Sequence, residues 1–215
     1  MFYKIVFQNP HFIIVDKFPN VLSVPTRIGT EETRPILGKI LERDLGVPLF
    51  PVHRLDYEVQ GLIMYALTPV AQRAGNAWFE QKIVEKIYCA ITSANPEFKN
   101  CLGSSVEQEW KCKLLRGKKR AYESSHGKES VTVAHLEKIS ESGYFHWEMK
   151  PITGRSHQLR YELFRHGMPI VGDALYGSTE IFSEGIALRA YKIDFTKVLN
   201  RDSFSLPENI STKKF

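Results

Sequence analysis

The sequence predicts an α+β fold, with a mixed, largely antiparallel β-sheet core and flanking helices. Three β-rich segments follow one another between residues 109 and 149, as in a meander of antiparallel strands. Three other segments combine the apolar spacing of amphipathic helices with residues that begin or end a helix. The glycine patterns of Rossmann and P-loop nucleotide-binding folds do not occur in the sequence, so those fold classes are not predicted.

Seven segments are predicted to form strands. They are rich in β-branched and aromatic residues, and many are bounded by turn-forming residues. The predicted strands are residues 12–15, 62–67, 83–92, 109–115, 130–139, 144–149 and 186–195.

Two of the predicted helices have clear start signals. The helix expected over residues 33–46 begins at Thr33, which can act as its N-cap, and ends at a glycine that can adopt the left-handed conformation. The helix expected over residues 68–81 begins at Thr68, and Pro69 suits the first helical position.

Length and composition predict one domain over residues 1–199, followed by a polar and loosely attached tail over residues 200–215. The chain has 215 residues, of which 43% are hydrophobic and 12% aromatic, enough for a substantial core. Lys and Arg total 29 against 24 Asp and Glu, giving a net charge of +5. This excess is a mild indication of a polyanionic partner, although many soluble proteins are equally basic without binding nucleic acid.

Cysteine usage and hydropathy favour a reducing, aqueous compartment, and we expect a cytoplasmic protein. The three cysteines, Cys89, Cys101 and Cys112, are odd in number and lack C-x-x-C spacing, so neither a disulfide framework nor a zinc site is predicted. The seven histidines are scattered without a metal-binding spacing, and no metal is expected. No apolar run reaches about 18 residues, and the first residues lack the apolar region of a signal peptide, so no membrane span is predicted.

A first polar cluster, His53-Arg54-Leu55-Asp56, precedes a strongly apolar predicted strand. A carboxylate at the mouth of a buried strand can serve as a nucleophile or a general base. The alternative is an ordinary loop with a surface ion pair, and this motif alone does not decide between the two.

A second polar cluster covers residues 153–160, TGRSHQLR, within a segment predicted to form a turn and then a helix up to Gly167. Free N–H groups at a helix start favour anions. On a continuous helix, Ser156 and Arg160 would lie four apart on one face. The alternative is a solvated first turn in which Arg160 pairs with Glu162 or another surface acid.

A third polar cluster covers residues 111–120, KCKLLRGKKR, which contain six cations and no acid. Lys111 and Lys113 would share one face of a strand, and Gly117 would open an exposed loop. The segment is a candidate for contacts with phosphate groups, and a solvated charged hairpin is the alternative.

These segments together resemble the RluA-type pseudouridine synthases. The resemblance spans most of the chain, and the motifs occur in the family's order: IIVDKFPN, HRLDYEVQG, EKIYCA, TGRSHQLR and GMPIVGDALYG. Val59-Gln60 replaces the usual Thr-Ser, and residues 16–20 replace the usual Asn-Lys-Pro-x-Gly. The resemblance implies a pseudouridine synthase-like fold, and we expect a member without an additional N-terminal RNA-binding domain.

The resemblance also implies an activity: isomerisation of uridines in structured RNA, namely ribosomal large-subunit RNA, transfer RNA or both. By their places in the family's motifs, Asp56 would be the catalytic aspartate, Tyr88 the tyrosine that stacks on uracil, and Arg160 the cation that keeps Asp56 ionised. Arg54 would occupy the space left by a flipped uridine. Residues expected to contact the substrate are His53, Arg54, Leu55, Arg155, Ser156, His157, Lys118, Lys119 and Arg120.

The reaction is an isomerisation, so neither a cofactor nor a metal is expected, and the partner is an RNA stem-loop bound by a monomer. Two alternatives remain. A non-catalytic RNA-binding protein on the same fold would tolerate the loss of Asp56, Tyr88 or Arg160, and all three are present. A phosphate-ester hydrolase would need a metal or a second acid, and the sequence offers no clear ligand set.

Overall fold

The structure, a computed structural model, describes residues 1–26, 32–95 and 107–215, so Cys101 lies outside the described residues. Its elements confirm the predicted α+β class. The strands are β1 (Tyr3–Gln8), β2 (Phe12–Lys17), β3 (Phe50–Pro51), β4 (Gln60–Ala66), β5 (Glu85–Thr92), β6 (Gln108–Arg116), β7 (Ala121–Glu123), β8 (Lys128–Ile139), β9 (Phe145–Pro151), β10 (Leu188–Asp194) and β11 (Asn209–Ser211). The helices are α1 (Leu37–Leu45), α2 (Pro69–Glu80) and α3 (Gln158–Arg165), with short 3-10 helices at Ala174–Tyr176 and Arg201–Phe204.

The chain folds into two compact units. The first comprises Met1–Glu85 and Ala190–Lys213, and the second comprises Lys86–Arg189 and Lys214–Phe215. No helix in the described ranges is long and apolar enough to cross a membrane. The assignment of residues 1–199 to one catalytic domain stays a prediction.

The first unit contains strands in the order β1-β2-β4-β10, with β3 paired to β4 and β11 paired to β10. β2 pairs antiparallel with β1 on one side and with β4 on the other, and every residue of β2 and β4 is buried. Helix α2 packs on β3 and β4, and its Trp78 joins a core that includes Phe12 and Phe204. The two central strands therefore form a rigid base for the loop between β3 and β4.

The expectation of a loose polar tail from residue 200 onward is wrong. Phe204, Leu206 and Ile210 are buried in the core of the first unit, and β11 pairs antiparallel with β10. The apolar residues of this segment are too sparse to form a pattern in the sequence, but the edge of β10 and the existing core give them a place to bind.

The second unit contains an antiparallel sheet in the order β5-β9-β8-β6-β7. In β9, residues alternate between buried and partly buried, as expected for a sheet that has one covered face. Trp147 on β9 is 1% exposed, and its indole N–H donates to the Thr92 hydroxyl oxygen at 3.1 Å. The predicted meander is confirmed, because β8 pairs with both β6 and β9.

Helix α2 confirms its sequence signals, because the Thr68 hydroxyl oxygen accepts the Ala71 N–H and Pro69 is the first helical residue. The prediction that α1 begins at Thr33 is wrong. Leu22 bonds to both sides of Ile36, accepting the Leu37 N–H and donating its own N–H to the Pro35 carbonyl. This parallel bridge holds Ile36 extended, so the helix begins at Leu37.

Candidate active site

Asp56 lies in the loop between β3 and β4, here called the aspartate loop (residues 52–59). Arg54 is exposed, Leu55 is buried and Asp56 is half-buried. Asp56, the predicted catalytic residue, is therefore neither fully buried nor fully exposed. The backbone on each side of it is held by buried polar groups.

On the N-terminal side, the loop is bonded to Ser23. The Leu55 N–H donates to the Ser23 hydroxyl at 3.0 Å, and that hydroxyl donates to the Leu55 carbonyl at 2.8 Å. The Tyr65 hydroxyl on β4 donates to the Ser23 carbonyl at 2.7 Å, so Ser23 is itself fixed. All three residues are buried, and water is therefore not available to replace these bonds.

On the C-terminal side, the loop is bonded to Lys17, which is 0% exposed at the end of β2. Its ammonium donates to the carbonyls of Phe18, Val21 and Tyr57 at 3.0, 2.9 and 3.2 Å. Burial lowers the pKa of Lys17 to about 7, and the nearby carboxylates of Asp56 and Glu58 oppose that fall.

Lys17 is therefore a buried cation that the first unit supplies near Asp56. The sequence motif contains Lys17, but no role was predicted for it. The available signal was a lysine two residues after the apolar run of residues 12–15, since a lysine that continues a buried strand requires acceptors or a counter-charge.

Two positions in the motifs IIVDKFPN and HRLDYEVQG have positive φ: one keeps its glycine, and the other has asparagine in place of the usual glycine. Gly61 has φ of +115°, and a Cβ there would lie 2.2 Å from the Ala190 carbonyl oxygen, so the glycine is required. Asn20 occupies the position of the usual glycine and has φ of 61°, which asparagine tolerates better than most residues. Val59 and Gln60, which replace the usual Thr-Ser, are both buried.

His53, predicted to contact substrate, is bonded within the first unit. Its Nε2 accepts the Met64 N–H at 3.0 Å, and its ring packs on Phe79 with centroids 4.6 Å apart. These contacts link the start of the aspartate loop to β4 and α2. They indicate a structural contribution, and a contact of His53 with substrate stays a prediction.

The other two predicted catalytic residues belong to the second unit. Tyr88 lies on β5, is 8% exposed, and is in register with Met149 of β9. Arg160 lies on α3 and is 1% exposed. The expected ion pair between Asp56 and Arg160 would join residues of different units and stays a prediction.

Arg160 makes a buried bidentate ion pair with Asp173. Its Nε lies 2.7 Å from Oδ2 and its Nη2 lies 2.8 Å from Oδ1, and both side chains are 1% exposed. The alternative of a solvated surface pair with Glu162 is wrong, because Glu162 is buried and pairs with Arg165. Asp173 belongs to the GDALYG motif, but sequence reasoning gave it no role.

The segment before α3 is organised by Gln158 rather than by a helical Ser156. The Gln158 amide bonds to the Thr153 hydroxyl, the Arg155 N–H, the Val131 carbonyl and the Thr132 hydroxyl at 2.8 to 3.0 Å. The helix begins only at Gln158, because His157 is held in the left-handed conformation with φ of 53°. The prediction that Ser156 and Arg160 share a helical face is therefore wrong.

Arg155 and His157 both have partners within the second unit. The Arg155 Nε–H donates to the Glu129 carbonyl at 2.7 Å, and His157 Nδ1 lies 3.2 Å from the Tyr176 hydroxyl. These bonds attach the segment to β8 and to the 3-10 helix at Ala174–Tyr176. Contacts of Arg155, Ser156 and His157 with RNA stay predictions.

The basic loop (residues 117–120) connects β6 to β7. The Gly117 N–H donates to the Arg120 carbonyl at 3.0 Å, which closes the turn, and Lys118, Lys119 and Arg120 are exposed. Lys111 and Lys113 are exposed on the same face of β6, as predicted. The structure thus confirms an exposed cationic hairpin, while its contact with phosphates stays a prediction.

No group of three or more His, Cys, Asp or Glu side chains in the described segments is arranged to hold a metal ion. The candidate residues form two sets instead. Asp56, Arg54 and Leu55 lie with Lys17 in the first unit, whereas Tyr88, Arg160, His157 and the basic loop lie in the second.

The sequence and fold were compared with known proteins. A family model described as RNA pseudouridylate synthase matches residues 11–165, which is more than half of the chain and includes Asp56, Tyr88 and Arg160. The chain belongs to the RNA pseudouridylate synthase family. It is accordingly an RNA pseudouridine synthase, an isomerase that converts uridine in RNA to pseudouridine.

Individual relatives agree with the family. The dual-specificity RNA pseudouridine synthase RluA of Escherichia coli K12 is 32% identical over 180 residues, covering 82% of this chain and 78% of the relative. Its counterpart in Vibrio vulnificus is 31% identical over 199 residues, covering 89% and 77%. Among solved structures, human RNA pseudouridylate synthase domain containing 4 has a TM-score of 0.71 at 20% identity, covering 98% of this chain and 88% of that one, which supports the fold.

Proposed function

We propose that this pseudouridine synthase isomerises specific uridines in structured RNA with Asp56 as its catalytic carboxylate. The proposal rests on the backbone contacts that hold Asp56 in place. Its neighbour Leu55 is hydrogen-bonded to Ser23, and its neighbour Tyr57 is hydrogen-bonded to Lys17. A reacting group needs fixed geometry, because a misplacement of about 1 Å can cost about a hundredfold in rate. A solvent-exposed loop without catalytic function has no such requirement.

The reaction breaks the C1′–N1 bond of uridine, turns the base over and forms a C1′–C5 bond. Asp56 either attacks C1′ or removes a proton from C2′, and both routes need the ionised carboxylate. Lys17 supplies a positive charge near the Asp56 carboxylate from within the same unit. Product and substrate are isomers, so the reaction consumes no oxidant, reductant or co-substrate.

Three further side chains complete the proposed chemistry. Tyr88 stacks on the uracil and accepts the C5 proton, a role that suits a buried tyrosine held in register with Met149 on the neighbouring strand. Arg160, whose guanidinium is oriented by Asp173, acts as a second cation toward the reacting carboxylate. Arg54 is exposed and enters the space left by the flipped uridine, which offsets part of the few kcal/mol that flipping costs.

Phosphate contacts come from the basic loop and from the segment before α3. We place the substrate among ribosomal large-subunit RNA and transfer RNA stem-loops, and the description of the curated relatives as dual-specificity enzymes supports more than one RNA target. The protein acts as a monomer in the cytoplasm. His53 and Leu55 hold the aspartate loop while Arg54 faces the RNA.

The experiment that tests the proposal is the substitution Asp56→Asn, which keeps size and polarity but removes the charge. Turnover is measured as tritium release from RNA labelled at uracil C5, and binding is measured by filter retention on the same preparations. The matched control is Asp202→Asn, which removes the charge of an aspartate whose side chain is 83% exposed in the same unit.

We expect Asp56→Asn to lower turnover by about a thousandfold or more while RNA affinity changes only a few-fold, because affinity depends mainly on phosphate contacts elsewhere. Asp202→Asn should retain full turnover. Near-normal turnover by a folded Asp56→Asn protein would exclude Asp56 as the catalytic carboxylate.

A further inference from the structure

Tyr176, in the GDALYG motif, connects the basic loop to the segment that carries Arg160. Tyr176 is 0% exposed and ends the 3-10 helix that follows Asp173. Its hydroxyl accepts the Ala121 N–H at 2.9 Å and lies 3.2 Å from both the Ala121 carbonyl and His157 Nδ1. A single hydroxyl therefore bonds to a strand of the basic hairpin and to His157, the residue immediately before α3.

Ala121 is the first residue after the basic loop. It pairs with Arg116 across the hairpin, so its position fixes where the loop of Lys118, Lys119 and Arg120 begins and ends. Ala121 is 1% exposed, and water cannot replace the hydroxyl as a partner for its backbone groups. Without the Tyr176 hydroxyl, the buried Ala121 N–H group would lose this acceptor.

The ring of Tyr176 contacts two guanidinium groups. Arg160 Cζ lies 5.4 Å from the ring centroid and Arg120 Cζ lies 6.0 Å from it, both within the range of cation–π attraction. Asp173, which pairs with Arg160, immediately precedes the 3-10 helix that contains Tyr176. The Asp173–Tyr176 segment thus contacts Arg160 by charge and the hairpin by hydrogen bonds.

The turn that presents Tyr176 is sterically fixed. Gly172 has φ of +85°, and a Cβ there would lie 2.7 Å from the Phe182 Cβ and 2.9 Å from the Gly185 carbonyl oxygen. The Asp173 carbonyl accepts the N–H groups of both Tyr176 and Ser178 at 3.0 and 3.1 Å. Tyr176 therefore has little freedom to follow the hairpin if the hairpin moves.

We propose that Tyr176 is a positioning residue that holds the RNA-contacting basic loop in a fixed place relative to Arg160. The inference rests on the proposed function in one respect, namely that the basic loop contacts RNA. It predicts that the hydroxyl contributes to RNA binding through the basic loop. The ring alone maintains the contact with Arg160, and Asp173 still orients the guanidinium.

The test is a double-mutant cycle between Tyr176→Phe and the combined replacement of Lys118, Lys119 and Arg120 by alanine. The probe is an end-labelled, unmodified tRNA transcript, and its dissociation constant is measured by filter retention over a range of salt concentrations. The control is Tyr144→Phe, which removes a tyrosine hydroxyl that bonds to Glu180 in the same unit, away from the hairpin.

We expect Tyr176→Phe to weaken binding about three- to tenfold in the wild-type chain, since the net contribution of a typical hydrogen bond corresponds to about that factor. It should also flatten the salt dependence, and Tyr144→Phe should do neither. In the triple-alanine background the same substitution should change affinity by less than about twofold, because the cations that it positions are already absent.

Equal weakening in both backgrounds, or no weakening in the wild-type chain, would overturn the inference. Amide hydrogen exchange of Tyr176→Phe distinguishes a local effect on the hairpin from a general loss of stability. We expect protection to fall in β6 and β7 and to persist in β8 and β9. A uniform loss of protection would contradict the positioning role of Tyr176. Turnover is not needed for this cycle. Failure of the premise that the basic loop contacts RNA would appear separately, as an unchanged RNA affinity of the triple-alanine variant.

Discussion

Replacing Asp173 with asparagine tests how much the buried ion pair with Arg160 stabilises the second unit. Both side chains are 1% exposed, and two donors of the guanidinium lie 2.7 and 2.8 Å from the two carboxylate oxygens. Unit charges about 4 Å apart attract by about 4 kcal/mol at the effective dielectric of about 20 that suits protein sites. Removing one partner of a buried pair costs about 3–5 kcal/mol in measured cases.

Asparagine retains the size of aspartate and one oxygen acceptor, so any loss of stability reflects the removed charge rather than altered packing. We expect Asp173→Asn to lower the free energy of unfolding by about 3–5 kcal/mol, measured by urea denaturation near neutral pH. The control is Asp44→Asn, which removes the charge from the Arg43–Asp44 pair, where Arg43 is 74% exposed. We expect a much smaller loss there, because solvent screens exposed pairs.

A second variant separates the ion pair from the cost of an uncompensated charge. Arg160→Met combined with Asp173→Leu removes both charges, and it should be more stable than Asp173→Asn alone because no guanidinium then lies buried without the carboxylate of Asp173. Equal losses for Asp173→Asn and Asp44→Asn would refute this explanation. So would a double variant less stable than Asp173→Asn.

Three other predictions concern binding, base flipping and pH. Replacing Lys118, Lys119 and Arg120 by alanine should reduce the slope of log affinity against log salt by about 0.7 for each phosphate of a single strand that the protein no longer neutralises, and an unchanged slope would mean a solvated loop. Arg54→Ala should impair a substrate whose target uridine is paired more than one whose uridine is unpaired, and equal losses would argue against a flipping role. Burial lowers the pKa of Lys17 from 10.5 to about 7, so between these pH values the unfolded chain binds a proton that the folded chain does not. The free energy of unfolding should therefore rise with pH in that window, by up to about 1.4 kcal/mol per pH unit. The free energy of unfolding of Lys17→Met, measured by denaturant unfolding, should lack this rise. Parallel pH profiles for Lys17→Met and the wild-type protein would contradict the lowered pKa of Lys17.

Elements with strong local signals were predictable from the sequence. Thr68 followed by Pro69 specifies the start of α2 without help from the rest of the chain. The start of α1 was not predictable, because it depends on bonds from Leu22, which lies more than ten residues earlier. Strand β1 was missed because its side chains are mostly exposed or partly exposed and lack a buried apolar face. Strand β11 owes its conformation to pairing with β10.

The candidate site was predictable to the extent that its residues carry charge in recognisable motifs. Asp56 and Arg160 were identified in this way, whereas the partners that hold them were not. The predicted strand at residues 12–15 stopped before Lys17, because a charged residue does not resemble a buried strand position. In the structure β2 continues through Lys17, since three backbone carbonyls satisfy its ammonium.

Lys17 and Arg160, both buried among the residues that the structure describes, are compensated in different ways, and the difference bears on the surroundings of Asp56. Arg160 is paired with the Asp173 carboxylate, which compensates part of its charge. Lys17 is bound by carbonyl oxygens, which satisfy its donors but carry no net charge, so the field of the ammonium remains. Within the first unit that field acts on the carboxylates of Asp56 and Glu58. A buried charge that is hydrogen-bonded but not neutralised costs stability, and the attraction between Lys17 and the carboxylates of Asp56 and Glu58 offsets part of that cost.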